Sequence, residues 1–266
     1  GAHLERCREA ISCPTAVATY TTDEEWATIA MCSSIPGSVE FIDRVFPETI
    51  PDNCLQEVGG SVTIKRGGAS ADVSALSLLS TVGVTLTIED AAFLETLHLP
   101  HLTSVGGYLS ISGNSNLTNL DGLGSLSGVG GDLDIRDNSN LTNIDGLESL
   151  SGVGGDLNIR DNSNLTNIDG LGSLSGVGGT LNIEFNDALT NINGLEGLTG
   201  VGANLVIARN YSLTNISGLE SLGGAGGTVY IYLNSSLCQS LVDAFVATLE
   251  GLGSSGSSEI YGNADC

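Results

Sequence analysis

The chain has 266 residues, of which 41% are apolar, and its 31 Asp and Glu against 8 Lys and Arg give a formal net charge of −23 at pH 7. A protein this acidic repels nucleic acid and anionic membrane surfaces, so we expect no nucleic acid among its partners. No apolar run of about 18 residues occurs, so the sequence predicts no membrane insertion.

The six cysteines lie near the two ends of the chain, and the long region between Cys54 and Cys238 contains none. No pair has the CxxC spacing that is typical of a metal site, so we expect disulfide bonds instead. Disulfides form in oxidising compartments, which predicts a secreted or cell-surface protein. The sequence alone leaves the pairing open among Cys7, Cys13, Cys32, Cys54, Cys238 and Cys266.

Residues 1–54 are predicted to form an N-terminal cap. Thr22 and Glu25 have the spacing of a capping box, which predicts a short helix that ends near Met31. The segment SVEF at 38–41 predicts a first, degenerate turn of the repeat that follows.

A 24-residue repeat fills residues 55–237. Segments that read x-apolar-x-Ile begin at 61, 85, 108, 132, 156, 180, 204 and 228, in steps of 24 with one step of 23. Within one repeat, Leu133 and Ile135 alternate with polar residues as in a strand, and aliphatic residues then recur at every third position from Leu141 to Val153. This spacing is typical of a coil that turns a corner every few residues. The repeat therefore predicts a mainly β fold, a β-solenoid of about eight to nine turns.

Glycine, asparagine and threonine recur in register at the corners of the repeat. We expect the glycines to adopt positive φ there, because glycine does so without steric cost. The asparagines and threonines are expected to form hydrogen-bonded ladders that satisfy the turn backbone. The columns are Gly122, Gly146, Gly170, Gly194 and Gly218; Asn119, Asn143, Asn167, Asn191 and Asn215; and Thr118, Thr142, Thr166, Thr190 and Thr214.

Residues 238–266 are predicted to form a C-terminal cap. Apolar residues recur there at helical spacing, which predicts a helix that lies across the last turn and ends near Gly251. Cys238 and Cys266 bracket this helix, and EIYG at 259–262 predicts a closing strand. The expected apolar stripe consists of Leu241, Val242, Phe245 and Leu249.

Three features resemble the receptor L-domain family, the leucine-rich β-helix of insulin-receptor and epidermal-growth-factor-receptor relatives and of many microbial surface proteins. They are the unit from Cys13 to Cys32 that leads into PGSVEF, the repeated GLxSLxxVGGxLxI pattern, and the closing NSSLC at 234–238, and the resemblance covers roughly residues 13–266. It implies a right-handed solenoid with short N- and C-terminal capping helices and the pairs Cys13–Cys32, Cys7–Cys54 and Cys238–Cys266. The repeats are nearly identical to one another and the sequence contains no cysteine-rich module or kinase, so the chain looks most like a microbial surface protein.

No pattern of catalytic residues stands out. A nucleophile elbow is missing, no carboxylate cluster lies outside the repeat register, and the glycine-rich strings recur in every turn as corners. We therefore expect no enzyme.

Acidic residues also recur in register. Asp121, Asp145 and Asp169 are expected to stack at one corner, where like charges about 5 Å apart repel each other. Either water screens them or a cation such as calcium bridges them, and a solvated acidic face is the plainer alternative. No other cofactor is expected.

Six sequons predict N-glycosylation if the source has the machinery. Their asparagines are Asn116, Asn140, Asn164, Asn210, Asn215 and Asn234.

Outward strand positions vary more than the rest of the repeat and supply the candidate contact residues. Exposed aromatic and polar side chains on a rigid face commonly contact partners. We expect an extracellular binding or adhesion module for a protein or glycan partner. The alternative is a structural subunit of a surface layer, filament or appendage that self-associates, and ice binding fits less well because the strand face is mixed and charged. The contact candidates are Tyr108, Asp132, Asp134, Asp156, Asn158, Tyr230 and Tyr232.

Overall fold

The chain forms two β-sheets, and the strands of each sheet are parallel and stack along the axis of the repeat. The computed structural model describes residues 18–20, 32–42, 54–65, 73–252 and 257–266. Within them, eleven strands form a long sheet and eight two-residue strands form a short sheet, and every pairing is parallel. The predicted mainly β solenoid is therefore confirmed.

The long sheet contains, in spatial order, β1 (Ala18–Tyr20), β3 (Val39–Ile42), β5 (Val62–Lys65), β7 (Leu86–Glu89), β9 (Leu109–Ser112), β11 (Leu133–Arg136), β13 (Leu157–Arg160), β15 (Leu181–Glu184), β17 (Leu205–Ala208), β18 (Val229–Tyr232) and β19 (Ser258–Tyr261). The short sheet contains β2 (Ser34–Ile35), β4 (Glu57–Val58), β6 (Thr81–Val82), β8 (Ser104–Val105), β10 (Gly128–Val129), β12 (Gly152–Val153), β14 (Gly176–Val177) and β16 (Gly200–Val201). Short 3₁₀ helices turn a third corner at Val73–Leu76, Asp121–Leu123, Asp145–Leu147, Asp169–Leu171, Asn193–Leu195 and Ser217–Leu219.

Equivalent residues of successive coils lie side by side. Leu133 pairs with Leu157 and Ile135 with Ile159, which preserves the 24-residue step of the sequence. The eight strands of the short sheet span seven successive turns of this kind. The handedness and the total number of turns stay predictions.

The core is a set of aliphatic columns. Leu133 and Ile135 point inward from β11 and are completely buried, and Leu141, Ile144, Leu147 and Leu150 complete the same coil at 0% exposure. Each coil alone would expose these side chains, so stacking of the next coil supplies the apolar contact that stabilises the fold.

The corner glycines do not adopt positive φ, so that prediction was wrong. Gly146 is buried in a 3₁₀ helix, and a Cβ on it would overlap the carbonyl oxygen of Leu120 in the preceding coil. Glycine is needed there because two backbones approach closely. Positive φ occurs instead directly after the long strands, at Asp137 (57°), Asp161 (58°) and Phe185 (56°).

Two kinds of polar ladder run along the axis. The expected threonine ladder is present, because Thr142 Oγ1 donates to the Thr118 carbonyl of the preceding coil at 3.1 Å. The asparagines of the Asn143 column satisfy the turn backbone within their own coil instead: Asn143 Oδ1 accepts from the Asp145 backbone N–H at 3.2 Å. A second ladder of completely buried asparagines was not predicted. Its members are Asn114, Asn138, Asn162, Asn186, Asn210 and Asn234, and Asn263 extends it into the C-terminal cap.

The C-terminal cap consists of helix α1 (Gln239–Gly251), strand β19 and a disulfide between Cys238 and Cys266, as expected. The buried stripe of α1 is Val242, Val246 and Leu249, whereas Leu241 remains 46% exposed. The expected stripe was therefore wrong at Leu241, because positions spaced by four and three residues from Val242 form the face toward the core.

The predicted N-terminal helix, Cys7 and Cys13 lie outside the described residues. Cys32 and Cys54 are both disulfide-bonded, and their pairing with Cys13 and Cys7 stays a prediction. Among the described helices, none is long and apolar enough to cross a membrane.

Candidate functional site: the outer face of the long sheet

The outer face of the long sheet is formed by the second and fourth residues of each strand and by the residues that flank the strand. These side chains point away from the core, as the alternating burial of β13 and β15 shows. Here the near-identical repeats differ. The second positions of successive strands from β9 to β18 are Ser110, Asp134, Asn158, Asn182, Val206 and Tyr230, and the fourth positions are Ser112, Arg136, Arg160, Glu184, Ala208 and Tyr232.

All the basic side chains of the described residues lie on this outer face: Lys65, Arg136, Arg160 and Arg209. Three of them have acidic partners. Lys65 Nζ lies 2.5 Å from Glu89 Oε2, Arg136 Nε lies 2.9 Å from Asp134 Oδ2, and Arg209 Nη1 lies 3.6 Å from Glu184 Oε1. Arg160 forms no ion pair with any described residue.

A carboxylate is buried on the outer face between β9 and β11. Asp134 is only 6% exposed although it points outward, and Tyr108 Oη donates to its Oδ2 at 3.0 Å. Ser110 and Ser112, both 4% exposed, lie beside it. Burial raises the pKa of Tyr108, and the negative charge of Asp134 adds to this rise. The phenol therefore stays protonated and donates at neutral pH.

Several polar atoms in this part of the outer face are buried without a hydrogen-bond partner. They are Asp134 Oδ1, Arg160 Nε and Asn182 Oδ1. Arg136 Nε belongs with them, because its 2.9 Å contact with Asp134 Oδ2 is an ion pair that lacks hydrogen-bond alignment. Buried polar groups are normally satisfied, so this concentration of unpaired atoms is exceptional.

An aromatic cluster occupies the C-terminal end of the outer face. The Arg209 guanidinium lies 4.9 Å from the ring centroid of Phe185 and 5.1 Å from that of Tyr232, and Tyr232 stacks on Tyr261 at 5.0 Å. Tyr232 Oη donates to Glu184 Oε1 at 3.1 Å and accepts from Arg209 Nη1 at 3.2 Å. Burial, followed by the charge of Glu184, raises the pKa of Tyr232. These contacts hold the rings in fixed positions.

The contact residues expected from the sequence fall into different groups. Tyr108 and Asp134 belong to the buried carboxylate group, Asn158 lies half-buried on β13, and Tyr230 and Tyr232 lie at the aromatic end. Asp132 and Asp156 accept hydrogen bonds from the backbone of the next coil. Asp132 Oδ1 accepts from the Asp156 N–H at 2.8 Å, and Asp156 Oδ1 accepts from the Thr180 N–H at 2.7 Å.

Several outer-face residues were missed by the sequence analysis. They are Arg160, Asn182, Glu184, Phe185, Arg209 and Tyr261. Four of them occupy the same register positions as the expected ones, and that register was the signal that could have found them. Phe185 and Arg209 instead directly follow their strands, at positions of positive φ.

The acidic column lies at the 3₁₀ corner, away from the outer face. Burial raises the pKa of Asp145, and the charges of Asp169, Asp121 and Glu148 raise it further. The repulsion expected from the sequence is therefore present. In the described part of the chain, no three His, Cys, Asp or Glu side chains are grouped so that they could hold a metal ion, and calcium binding stays a prediction.

The six sequon asparagines separate into two groups. Asn116, Asn140, Asn164 and Asn215 are exposed. Asn210 and Asn234 are completely buried in the asparagine ladder, where their Nδ2 atoms donate to the carbonyls of Ile183 and Ile207. A glycan on either nitrogen is incompatible with that ladder.

A cleft of about 290 Å³ separates α1 from the last 3₁₀ corner. Ile216, Leu219, Leu241 and Phe245 contribute to its largely apolar lining. It shares no residue with the outer face and is therefore a separate feature.

Comparison of the sequence with protein-family models gives no match, and comparison with curated proteins gives none either.

Proposed function

We propose that the chain is an extracellular, non-enzymatic binding or adhesion module of the receptor L-domain type, which presents the outer face of its long sheet to a protein or glycan partner. The observation that supports this is the contrast between the faces of the solenoid. Inward and corner positions keep the same residue types from coil to coil, whereas the outer-face pairs change from Asp134 and Arg136 to Tyr230 and Tyr232. Packing of the core does not require that change.

The composition of the aromatic cluster supports the same proposal. Tyrosine and arginine are the residues most enriched at binding hot spots, and Arg209, Tyr232 and Tyr261 lie together at one end of the outer face. Their mutual stacking fixes the side chains before a partner arrives, which lowers the entropy cost of binding.

The disulfide between Cys238 and Cys266 supports an extracellular location. The net charge of −23 supports a neutral or basic partner over an acidic one.

Matched variants test the proposal. The wild type is screened by biolayer interferometry against an array of glycans and a panel of purified extracellular proteins. The face variant is Tyr230→Ser/Tyr232→Ser, and the control variant Ser127→Ala/Ser151→Ala changes exposed hydroxyls beside the short sheet. A ligand that the face variant loses and the control variant keeps supports the proposal. If every ligand binds both variants equally, the aromatic end of the outer face is not the binding surface.

The edge of the long sheet favours a second candidate, a structural subunit that self-associates. Strand β19 pairs with β18 on one side, and among the described strands none covers its other side. Ser258, Glu259 and Tyr261 are exposed there. An uncovered edge is a template for pairing with another chain. Light scattering with and without millimolar calcium tests this candidate: growth in mass with protein concentration supports it, and a monomer under both conditions contradicts it.

A further inference from the structure

We propose that the outer face between β9 and β15 binds an uncharged saccharide chain through a polar cluster, defined as Tyr108, Asp134, Arg136, Asn158, Arg160 and Asn182. This inference rests on the proposed function, because it names the ligand class of the same face. The observation that carries it is the set of buried, unpaired polar atoms in the cluster.

The unpaired atoms require both hydrogen-bond donors and hydrogen-bond acceptors as partners. Asp134 Oδ1 and Asn182 Oδ1 are acceptors, whereas the Nε–H groups of Arg136 and Arg160 are donors. An ammonium group only donates and a carboxylate only accepts, so neither satisfies the whole set. A hydroxyl group both donates and accepts. A ligand with several hydroxyl groups therefore matches the cluster.

The Asp134 carboxylate is the central ligand-binding group of the proposed site. It is 94% buried, since its exposure is 6%, and its Oδ2 is held by Tyr108 and Arg136 while its Oδ1 has no partner. The Arg136 side chain above it is 38% exposed. A ligand that contacts the carboxylate requires the flexible Arg136 side chain to turn outward, which needs no change in the backbone.

The charges around the cluster select an uncharged ligand. Asp134 contacts Arg136, and the charges of Asp137, Asp161 and Glu184 act at the same place as those of Arg136 and Arg160. The carboxylates therefore outnumber the two guanidinium groups. An anionic polysaccharide meets net repulsion there, which the overall charge of −23 reinforces. A cationic chain carries ammonium groups in place of some hydroxyls, and an ammonium group cannot accept from the arginine Nε–H donors.

The length of the cluster favours a chain over a single sugar. The side chains come from four adjacent strands or their flanks, β9, β11, β13 and β15, which span about 14 Å at the usual strand spacing. Asn158 and Asn182 lie side by side in this row, so their amides repeat along the axis as the hydroxyls of a polysaccharide do.

The experiment is an NMR titration of the full chain with uncharged glucan oligosaccharides, with chitosan and alginate oligosaccharides as the cationic and anionic probes. The expected result is shifts of the Asn158 and Asn182 side-chain amides and of the arginine Nε–H signals with the uncharged probes. Isothermal titration gives the Kd. Arg160→Met should weaken binding by at least about tenfold, because it removes a donor to a ligand hydroxyl. Lys65→Met, which changes a basic residue on the same face outside the cluster, should leave the Kd unchanged.

Three results would overturn the inference: no shift with any uncharged probe, stronger binding of a charged probe, or equal binding by the wild type and Arg160→Met. Thermal melting of each variant shows that the fold is retained. The outcome is separable from that of the proposed function. If a partner binds the outer face and is lost in Tyr230→Ser/Tyr232→Ser while the glucans fail, the binding module stands and the saccharide assignment falls.

Discussion

Asn138 Oδ1 accepts hydrogen bonds from both the backbone N–H and the Nδ2 of Asn114, at 3.1 and 3.2 Å. Asn138 in turn donates from Nδ2 to the carbonyl of Ile111 and to Asn162 Oδ1. The arrangement recurs in each coil at complete burial. The Asn138 side chain thus satisfies two backbone groups of the preceding coil and also bonds to the asparagine side chain of the next coil, so the ladder links successive coils.

Replacement of Asn162 by aspartate tests the ladder. Asn162 Nδ2 donates to the Ile135 carbonyl at 2.9 Å, and a carboxylate oxygen in its place would meet another acceptor and bury a charge. We expect Asn162→Asp to lower the free energy of unfolding by about 3 kcal/mol at neutral pH. Burial would raise the pKa of the new carboxyl in the folded state, so the lost stability should return as the pH falls through that pKa.

Urea unfolding at several pH values measures the effect. Asn140→Asp is the control, because Asn140 is exposed, and it should change stability by less than about 0.5 kcal/mol. Equal losses in the two variants would show that the ladder does not hold the coils together.

The solenoid was predictable from the sequence because the residue pattern that produces it is local and recurs in every repeat. The spacing of Leu133, Ile135 and the aliphatic residues that follow predicts which side chains point inward. The 24-residue step predicts which residues of the next coil stack on them. The role of Gly146 was not predictable in the same way. Its neighbour is the carbonyl of Leu120, which belongs to another coil, so the need for glycine arises only after stacking.

The positions of the polar side chains were predictable in register, but their contacts were not. Asn138 and Asn143 recur with the same period, and only the cross-section of the coil determines that the first is buried and the second is at a turn. Likewise Arg160 ends its strand and Arg209 directly follows its strand, and only side-chain packing leaves Arg160 without an ion pair among the described residues and places Arg209 against two rings.

Substitution of a corner glycine tests whether glycine is required there for the close approach of two coils or for its own backbone conformation. Gly146→Ala would drive a Cβ into the Leu120 carbonyl, so the two coils must move apart. We expect a loss of at least about 3 kcal/mol of unfolding free energy. Gly152→Ala is the matched control, since a Cβ there has no atom within 4 Å, and it should change stability by less than about 0.5 kcal/mol. Denaturant midpoints measure both, and a stable Gly146→Ala protein would contradict the close stacking.

Asp161 gives a dependence of stability on pH. Burial raises its pKa above 3.8, the charges of Asp137 and Glu184 add to the rise, and Arg160 and Arg136 oppose it. The folded protein therefore binds this proton more tightly than the unfolded chain, so the contribution is most favourable below pH 3.8 and is lost as the pH rises through the folded pKa.

Asp161→Asn should remove the loss of stability that the Asp161 carboxylate causes as the pH rises. Asparagine also tolerates the positive φ of 58° at this position. We expect the variant to be more stable than the wild type at neutral pH by less than about 1 kcal/mol, and the difference to vanish at low pH. Thermal melting across the pH range measures it, with Asp187→Asn at an exposed carboxylate as the control. A gain that persists unchanged at low pH would assign the effect to the backbone and not to the charge.

Burial predicts which sequons can carry a glycan. Asn116, Asn140 and Asn164 are exposed, whereas Asn210 and Asn234 use Nδ2 inside the ladder and have 0% exposure. Secretion from a eukaryotic host should therefore yield folded protein with glycans in the exposed column and none at the two buried sites. Successive members of the column are one coil apart, about 4.8 Å, so a glycan on one should exclude glycans on its immediate neighbours.

Glycopeptide mass spectrometry of the folded, secreted protein measures the occupancy of each site. Asn140→Gln removes the middle member, and it should raise the fraction of molecules that carry glycans on both Asn116 and Asn164, which then lie two coils apart. Asn215→Gln, at an exposed site outside the column, is the control and should leave that fraction unchanged. A glycan found on Asn210 or Asn234 in folded protein would contradict the buried ladder, because the modified nitrogen could no longer make both of its hydrogen bonds.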